Sequence, residues 1–192
     1  MIDLLYKKKL LLASKSPRRS DLLKAANIPF KVITCDWDET FDDGIDVKQV
    51  PQYLSYHKAL HVRDQLKEDQ IILTADTVVI MGNRLLGKPT NKKDAISTLT
   101  TLSDASHDVI TGITVMSTNK TVNASCTSTV TFGKLLKSEI NDYVTEYNPF
   151  DKAGSYGIQD WIGICKIKSI KGSYHNIMGL PTHIVYQILK VW

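Results

Sequence analysis

The sequence predicts an α/β or α+β domain built on one sheet, and three observations predict it. Two apolar runs, KKLLLAS and IILTADTVVIM, have the length and composition of buried strands. Other segments carry apolar residues at i, i+3, i+4 and i+7, the period of a helix with one buried face. From His107 to Phe132 the chain turns into two β-branched stretches, DVITGITVMST and TVNASCTSTVTF, which read as a long antiparallel hairpin turning around Asn119. With 192 residues, 43% of them hydrophobic, a single domain over 1–192 with room for two lobes buries enough surface to hold together without disulfide or metal. No repeat or low-complexity linker offers a boundary at which to cut it.

The elements follow in order. KKLLLAS stops at the turn signal Ser14-Lys15-Ser16-Pro17, and a helix follows with Ser16 at the N-cap and Pro17 at its first position. Leu22, Leu23 and Ala26 form its buried stripe, and Asn27 and Pro29 end it. FKVITC is the second strand. After an acidic loop a long helix begins near Pro51, where Val50, Tyr53, Leu54, His57, Leu60 and His61 match the helical template and leave Lys58 at the edge of the buried face. Gly82-Asn83 then turns IILTADTVVIM into RLLGK. Asn91 caps a helix carrying Ala95, Ile96, Leu99 and Leu102, and the β-branched hairpin comes next. Ser138 caps a short helix with Ile140, Tyr143, Val144 and Tyr147 on one face, which Asn148-Pro149 ends. A glycine-punctuated stretch leads to a final helix from Pro181 with Ile184, Val185, Ile188 and Leu189.

The formal net charge of +4 is small but unevenly placed. Up to Lys31 eight Lys or Arg face only Asp3 and Asp21, and then Asp36 to Asp46 packs six carboxylates into eleven residues. Two solvated segments would look like this, and so would a site where basic groups hold a polyanion and carboxylates hold its metal ion. Cys35, Cys126 and Cys165 lie far apart without a C-x-x-C pair, which argues against a disulfide framework or zinc cage and fits a reducing cytoplasm. His57 and His61 have zinc-like spacing but no third ligand, and they read as core-facing. The amino-terminal apolar run is too short and too charged for a signal peptide, and no stretch approaches a membrane span. Neither a P-loop nor a G-x-S-x-G elbow is present.

Four features could carry chemistry. Ser14 to Arg19, S-K-S-P-R-R, sits at a strand-to-helix junction, where free N–H groups and the helix dipole favour an anion and Arg18 and Arg19 add forks that match phosphate. A capped surface helix with two exposed arginines is the plain alternative. Asp76, in A-D-T, interrupts an apolar strand, and burying its carboxylate needs a cation or donors; a strand-end turn cap would also explain it. Lys58, and Lys88 in L-G-K-P, are either solvated or charge-neutralising, and Glu39 is one acid of several. The glycine-dense segments Asp151 to Gln159 and Lys171 to Pro181 permit close backbone approach to a ligand, and Gln159 could read a base edge; plain turns would look similar. Tyr156, Trp161 and Tyr174 could stack on bases or simply pack.

Taken in order, L-A-S-x-S-P-R-R at Leu12 to Arg19, D-E-T at Asp38 to Thr40, A-D-T-x-V at Ala75 to Val79, G-K-P at Gly87 to Pro89, D-K-A-G-x-Y-G-I-Q at Asp151 to Gln159 and G-S-Y-x-x-x-x-G-L-P at Gly172 to Pro181 resemble the Maf family of nucleoside triphosphate pyrophosphatases. The resemblance runs nearly end to end. It implies an elongated inosine triphosphatase-like α/β fold, a mixed sheet flanked by helices with a cleft between two lobes. It also implies cleavage of a nucleoside triphosphate to monophosphate and pyrophosphate with a divalent cation, Mg²⁺, Mn²⁺ or Co²⁺. S-P-R-R with G-I-Q resembles the branch acting on dTTP and UTP, with CTP and modified pyrimidine nucleotides also open. By that carry-over Asp76 is the proton acceptor, and Arg18, Thr77 and Gln159 bear on base choice; Glu39 or Asp76, with phosphate oxygens, can hold the metal. Ser14, Ser16, Arg19, Lys58 and Lys88 complete the substrate-binding set. An Asp76 crowded by other carboxylates should hold or gain stability on conversion to Asn. One departure is Leu102-Ser103-Asp104, where the family has L-S-G past a helix end. No membrane or stable nucleic-acid partner is expected, and monomer and homodimer stay open. A same-fold pyrophosphatase for another non-standard nucleotide, or a non-enzymatic nucleic-acid binder linked to septum formation, are the competing readings.

Overall fold

The computed structural model describes residues 8–37, 39–42 and 44–192. Residues 1–7, Asp38 and Asp43, and with them the start of the amino-terminal run and two of the six loop carboxylates, lie outside the described residues. The fold is α/β with a mixed seven-stranded sheet flanked by helices. β1 (Lys9–Ala13) pairs in parallel with β2 (Lys31–Ile33) on one side and β3 (Gln70–Met81) on the other, so that Leu12 faces both Val32 and Leu73. β4 (Arg84–Leu86) folds back antiparallel on β3. β5 (Ser106–Met116) and β6 (Thr121–Phe132) follow, and β7 (Ile167–Lys171) runs antiparallel to β6, in the order β2-β1-β3-β5-β6-β7. The expected hairpin is β5–β6. Its turn is Thr118-Asn119, with Ser117 N–H donating to the Lys120 carbonyl at 2.8 Å. Thr114 to Asn123, Asp108 to Thr129 and Ser106 to Thr131 are its cross-strand side-chain bonds. Among the described residues no helix is long and apolar enough to cross a membrane.

The chain divides into two compact units, Met1–Asp76 with Thr111–Cys126 and Gly179–Trp192, and Thr77–Ile110 with Thr127–Met178. β3, β5 and β6 each run through the division. The first unit holds α1 (Pro17–Ala25), α2 (Val50–Arg63) and α7 (Thr182–Lys190). α1 starts as its sequence predicts, with Ser16 extended at the N-cap and Pro17 next, although Ser16 makes no side-chain cap bond. It ends in a Schellman motif: Asn27 takes a left-handed φ of 53°, its N–H donates to Lys24, and Ile28 N–H donates to Leu23 at 3.0 Å. Ala26, expected in the buried stripe, is exposed, because it lies at the cap where the backbone has already turned.

α2 corrects the expected helical face. The buried residues are Val50, Pro51, Leu54, Ser55, Lys58, Ala59 and Val62, while Tyr53, His57 and Leu60 are half-buried and His61 is exposed. The cause is close packing on β5. A Cβ at Gly112 would lie 2.3 Å from Pro51 backbone, so the first turn of α2 rests directly on that strand. Small Ser55 and Ala59 fit such a contact, and Ser55 is satisfied there by Thr114 at 3.1 Å. Lys58 therefore lies within the buried face rather than at its edge.

The second unit holds α3 (Lys92–Leu102), α4 (Lys137–Tyr147), α5 (Trp161–Lys166) and α6 (Tyr174–Ile177) around a core of Val79, Leu99, Leu102, Phe132, Tyr143 and Ile162. Asn91 caps α3 as expected, accepting from Asp94 N–H at 3.0 Å. α4 starts before the expected cap: Leu136 is the N-cap, and the Glu139 carboxylate accepts Leu136 N–H at 2.8 Å, which places Ser138 inside the first turn. Past α3, Asp104 has a left-handed φ of 53°, the conformation in which a glycine carries no steric cost.

Candidate active site

In the first unit the β1-to-α1 junction folds on its own side chains. Ser14 Oγ accepts Ser16 N–H at 3.2 Å and the Arg19 guanidinium at 3.2 Å. Arg19 Nε donates to the Gly179 carbonyl at 2.8 Å, tying α1 to the start of the α7 segment. Arg18 and Arg19 are both half-buried, not exposed as a simple first turn would have them. Burial pushes the Arg19 guanidinium below its ordinary range, and the Asp76 and Glu39 carboxylates oppose that shift. Lys15 pairs with Asp36 at 2.6 Å in full solvent exposure, outside this arrangement.

Asp76 lies within β3 in an unbroken buried stretch from Ile71, and only 8% of it is exposed. The cation that its burial demands is Lys58, whose ammonium donates to Asp76 Oδ2 and pairs with Glu39 Oε1 at 2.7 Å. Two carboxylates thus converge on one point. The ammonium between them replaces the carboxylate crowding that the sequence suggests. Hard oxygen donors of this number suit a small divalent cation that takes its remaining ligands from phosphate. Among the described residues no set of three or more His, Cys, Asp or Glu gathers for metal binding. Beside it, His57 stacks on Trp37 at 5.9 Å and contacts Tyr53 at 4.1 Å, so His57 serves ring packing.

The remaining residues belong to the second unit. Thr77 follows Asp76 along β3 and is half-buried. Lys88 is exposed, and the Gly87 carbonyl before it accepts Gly154 N–H at 3.1 Å, which joins the G-K-P segment to the D-K-A-G segment. Gln159 is half-buried in the turn Gly157–Asp160, closed by Asp160 N–H on the Gly157 carbonyl at 3.1 Å. Tyr156 is a core residue whose hydroxyl meets His107 Nε2 at 2.8 Å; Trp161 is half-buried and Tyr174 is exposed. Sequence reasoning missed His107, the Tyr143 hydroxyl and the Gly179 carbonyl as partners of these segments. Gly179 stands in a quoted motif, but nothing local signals that its carbonyl receives an arginine 160 residues away.

Known proteins extend this picture. A protein that is 44% identical over 191 residues, covering 99% of both chains, is the dTTP/UTP pyrophosphatase of Parabacteroides distasonis. The proteins of the same name from Porphyromonas gingivalis and Phocaeicola vulgatus are 43% and 41% identical, with 99% of this chain covered and 97% and 99% of theirs. The family model described as Maf-like protein matches residues 9–192. That match takes in the β1-to-α1 junction, the Lys58 cluster and the Gln159 turn together, and on it the chain belongs to the Maf family.

Proposed function

We propose that this chain is a nucleoside triphosphate pyrophosphatase that hydrolyses dTTP and UTP to the monophosphate and pyrophosphate. The observation that carries the reading is the buried Asp76 carboxylate held by Lys58, which also pairs with Glu39, close enough to Arg19 to act on its charge. The substrates come from the names borne by the full-length relatives. Attack of water at the α-phosphorus needs the triphosphate charge neutralised and the nucleophile deprotonated. Arg18 and Arg19 at the α1 terminus, with Lys58 and Lys88, supply positive charge, and Ser14 and Ser16 flank the same anion-favouring terminus. Lys58 occupies Oδ2 of Asp76, which leaves Oδ1 to accept the proton of the attacking water. A divalent cation, when bound, adds charge neutralisation on the phosphates, and Glu39 and Asp76 are the residues that would hold it. Thr77 and Gln159 serve base choice. The widely spaced cysteines and this nucleotide chemistry together support a cytoplasmic setting.

The test is pyrophosphate release from a panel of nucleoside triphosphates with Mg²⁺, Mn²⁺ or Co²⁺. dTTP and UTP should lead, EDTA should abolish turnover, and an added divalent ion should restore it. Tight, steeply salt-dependent binding to DNA without pyrophosphate release would support the nucleic-acid reading instead.

A further inference from the structure

We propose that Tyr143 is a positioning residue for base recognition, its buried hydroxyl closing the turn that carries Gln159. The inference rests on the base-reading role given to Gln159 above. Tyr143 belongs to α4 and is 1% exposed, so its ring is core. Its hydroxyl does more than a core needs. It donates to Asp160 Oδ2 at 2.7 Å and accepts Gly157 N–H at 3.0 Å, and so grips both ends of the four-residue turn. Burial, with the Asp160 carboxylate next, pushes the phenol far above its ordinary range and keeps it a donor.

Asp160 shows what is given up for this arrangement. It stands at the N-cap of α5, where an aspartate ordinarily accepts from the first helical N–H groups, yet its side chain makes no cap bond. The carboxylate instead folds over Gly157, where a Cβ would come within 2.5 Å of Oδ2. Gln159 is half-buried and lies between the two gripped positions, so the turn holds the backbone that carries its carboxamide. A carboxamide offers one donor face and one acceptor face. Turned one way it complements the carbonyl and N–H of a uracil or thymine edge, and turned the other way the amino group and ring nitrogen of cytosine. A turn held at both ends fixes where the Gln159 backbone stands and so the direction from which its carboxamide meets the base, whereas a released turn lets that backbone shift until the carboxamide meets either edge.

Tyr143→Phe keeps the ring and deletes the hydroxyl. The ratio of kcat/KM for UTP over CTP should fall about tenfold, the scale of one lost buried hydrogen bond to a charged partner. In a Gln159→Ala background the same change should leave the ratio where Gln159→Ala put it. Hydrogen exchange without nucleotide should quicken at the Gly157 and Asp160 amides. Unchanged exchange overturns the proposal, as does quickened exchange with an unchanged ratio, or a ratio that drops equally in both backgrounds. Asp160→Ala removes the Asp160 half of the grip from the turn side, and if Tyr143→Phe does not fold it carries the same readouts at smaller size. If the wild-type chain releases pyrophosphate from neither nucleotide, the pyrophosphatase reading fails by itself. Binding of UMP against CMP, measured by calorimetry on the same variants, then decides the positioning role.

Discussion

A carboxylate in the middle of a buried strand survives only with compensation, and at Asp76 the compensation is a single ammonium shared with Glu39. This reverses the stability expected from the sequence. Asp76→Asn should lower kcat by roughly 100-fold to 10,000-fold, because the amide cannot accept a proton. It should also lower the unfolding free energy by up to about 3 kcal/mol, since among the described residues Lys58 then keeps one charged partner, the half-exposed Glu39. Lys58→Met leaves the buried carboxylate without its ammonium and should cost about 3 to 5 kcal/mol. The double variant should recover much of that loss, as removal of both charges of a buried pair does. Urea unfolding and kcat on the same four preparations check this. A double variant that is merely the sum of the two singles would contradict the pairing.

Helix ends and helix faces are where element-level reasoning met its clearest successes and failures. The end of α3 breaks the family pattern at Asp104, whose left-handed φ favours glycine and whose carboxylate meets Lys168 at 2.7 Å in solvent. Asp104→Gly should therefore raise the melting temperature and leave turnover unchanged, because the relieved backbone outweighs an exposed ion pair. A fall in melting temperature would show that the Lys168 contact matters more than the backbone. Asn91, Pro17 and the β5–β6 turn were legible because each acts on residues within four positions. Asp76 was legible because a carboxylate in an apolar run stands out. The burial of Lys58 was not, since Tyr and His are found buried more often than Ser and Lys, and the approach of α2 to Gly112 decides which side faces inward. α5, α6 and β7 escaped because they are short, and β7 is an almost wholly exposed edge without alternation. The Tyr143 grip escaped because its partners lie 14 and 17 residues away and its ring already read as core.

At the scale of the molecule, acid stability should carry the mark of one buried imidazole. His107 is 3% exposed, bonds Tyr156 and stacks on Phe132, and burial pushes it down to about 4, with Asp108 pulling weakly the other way. Above about pH 6.5 both folded and unfolded chains keep it neutral and its contribution is whole. As pH falls from there toward 4, the unfolded chain takes up a proton that the folded chain refuses, so stability is lost, by about 3 kcal/mol in all. The lysine-paired carboxylates Asp36, Asp69, Asp104 and Glu139 are held below their ordinary range, and their contributions fade only at lower pH. His107→Gln should flatten the curve of melting temperature against pH between 6.5 and 4 and leave the steeper acid limb in place. An unchanged curve would mean that the imidazole is not the group being titrated.

The first unit is assembled from three separate stretches of chain, and this has a consequence for the order of events during synthesis. Arg19 is made 160 residues before the carbonyl that receives its Nε. At ordinary elongation rates that is a gap on the order of ten seconds or more. A ribosome-tethered chain that has reached Met178 already contains Asp76, Lys58 and Glu39, yet the carbonyl that receives the Arg19 Nε has still to be made. If the chain is the pyrophosphatase proposed above, competence should arrive only with the stretch from Gly179 onward, and a half-made chain should not act on the nucleotide pool.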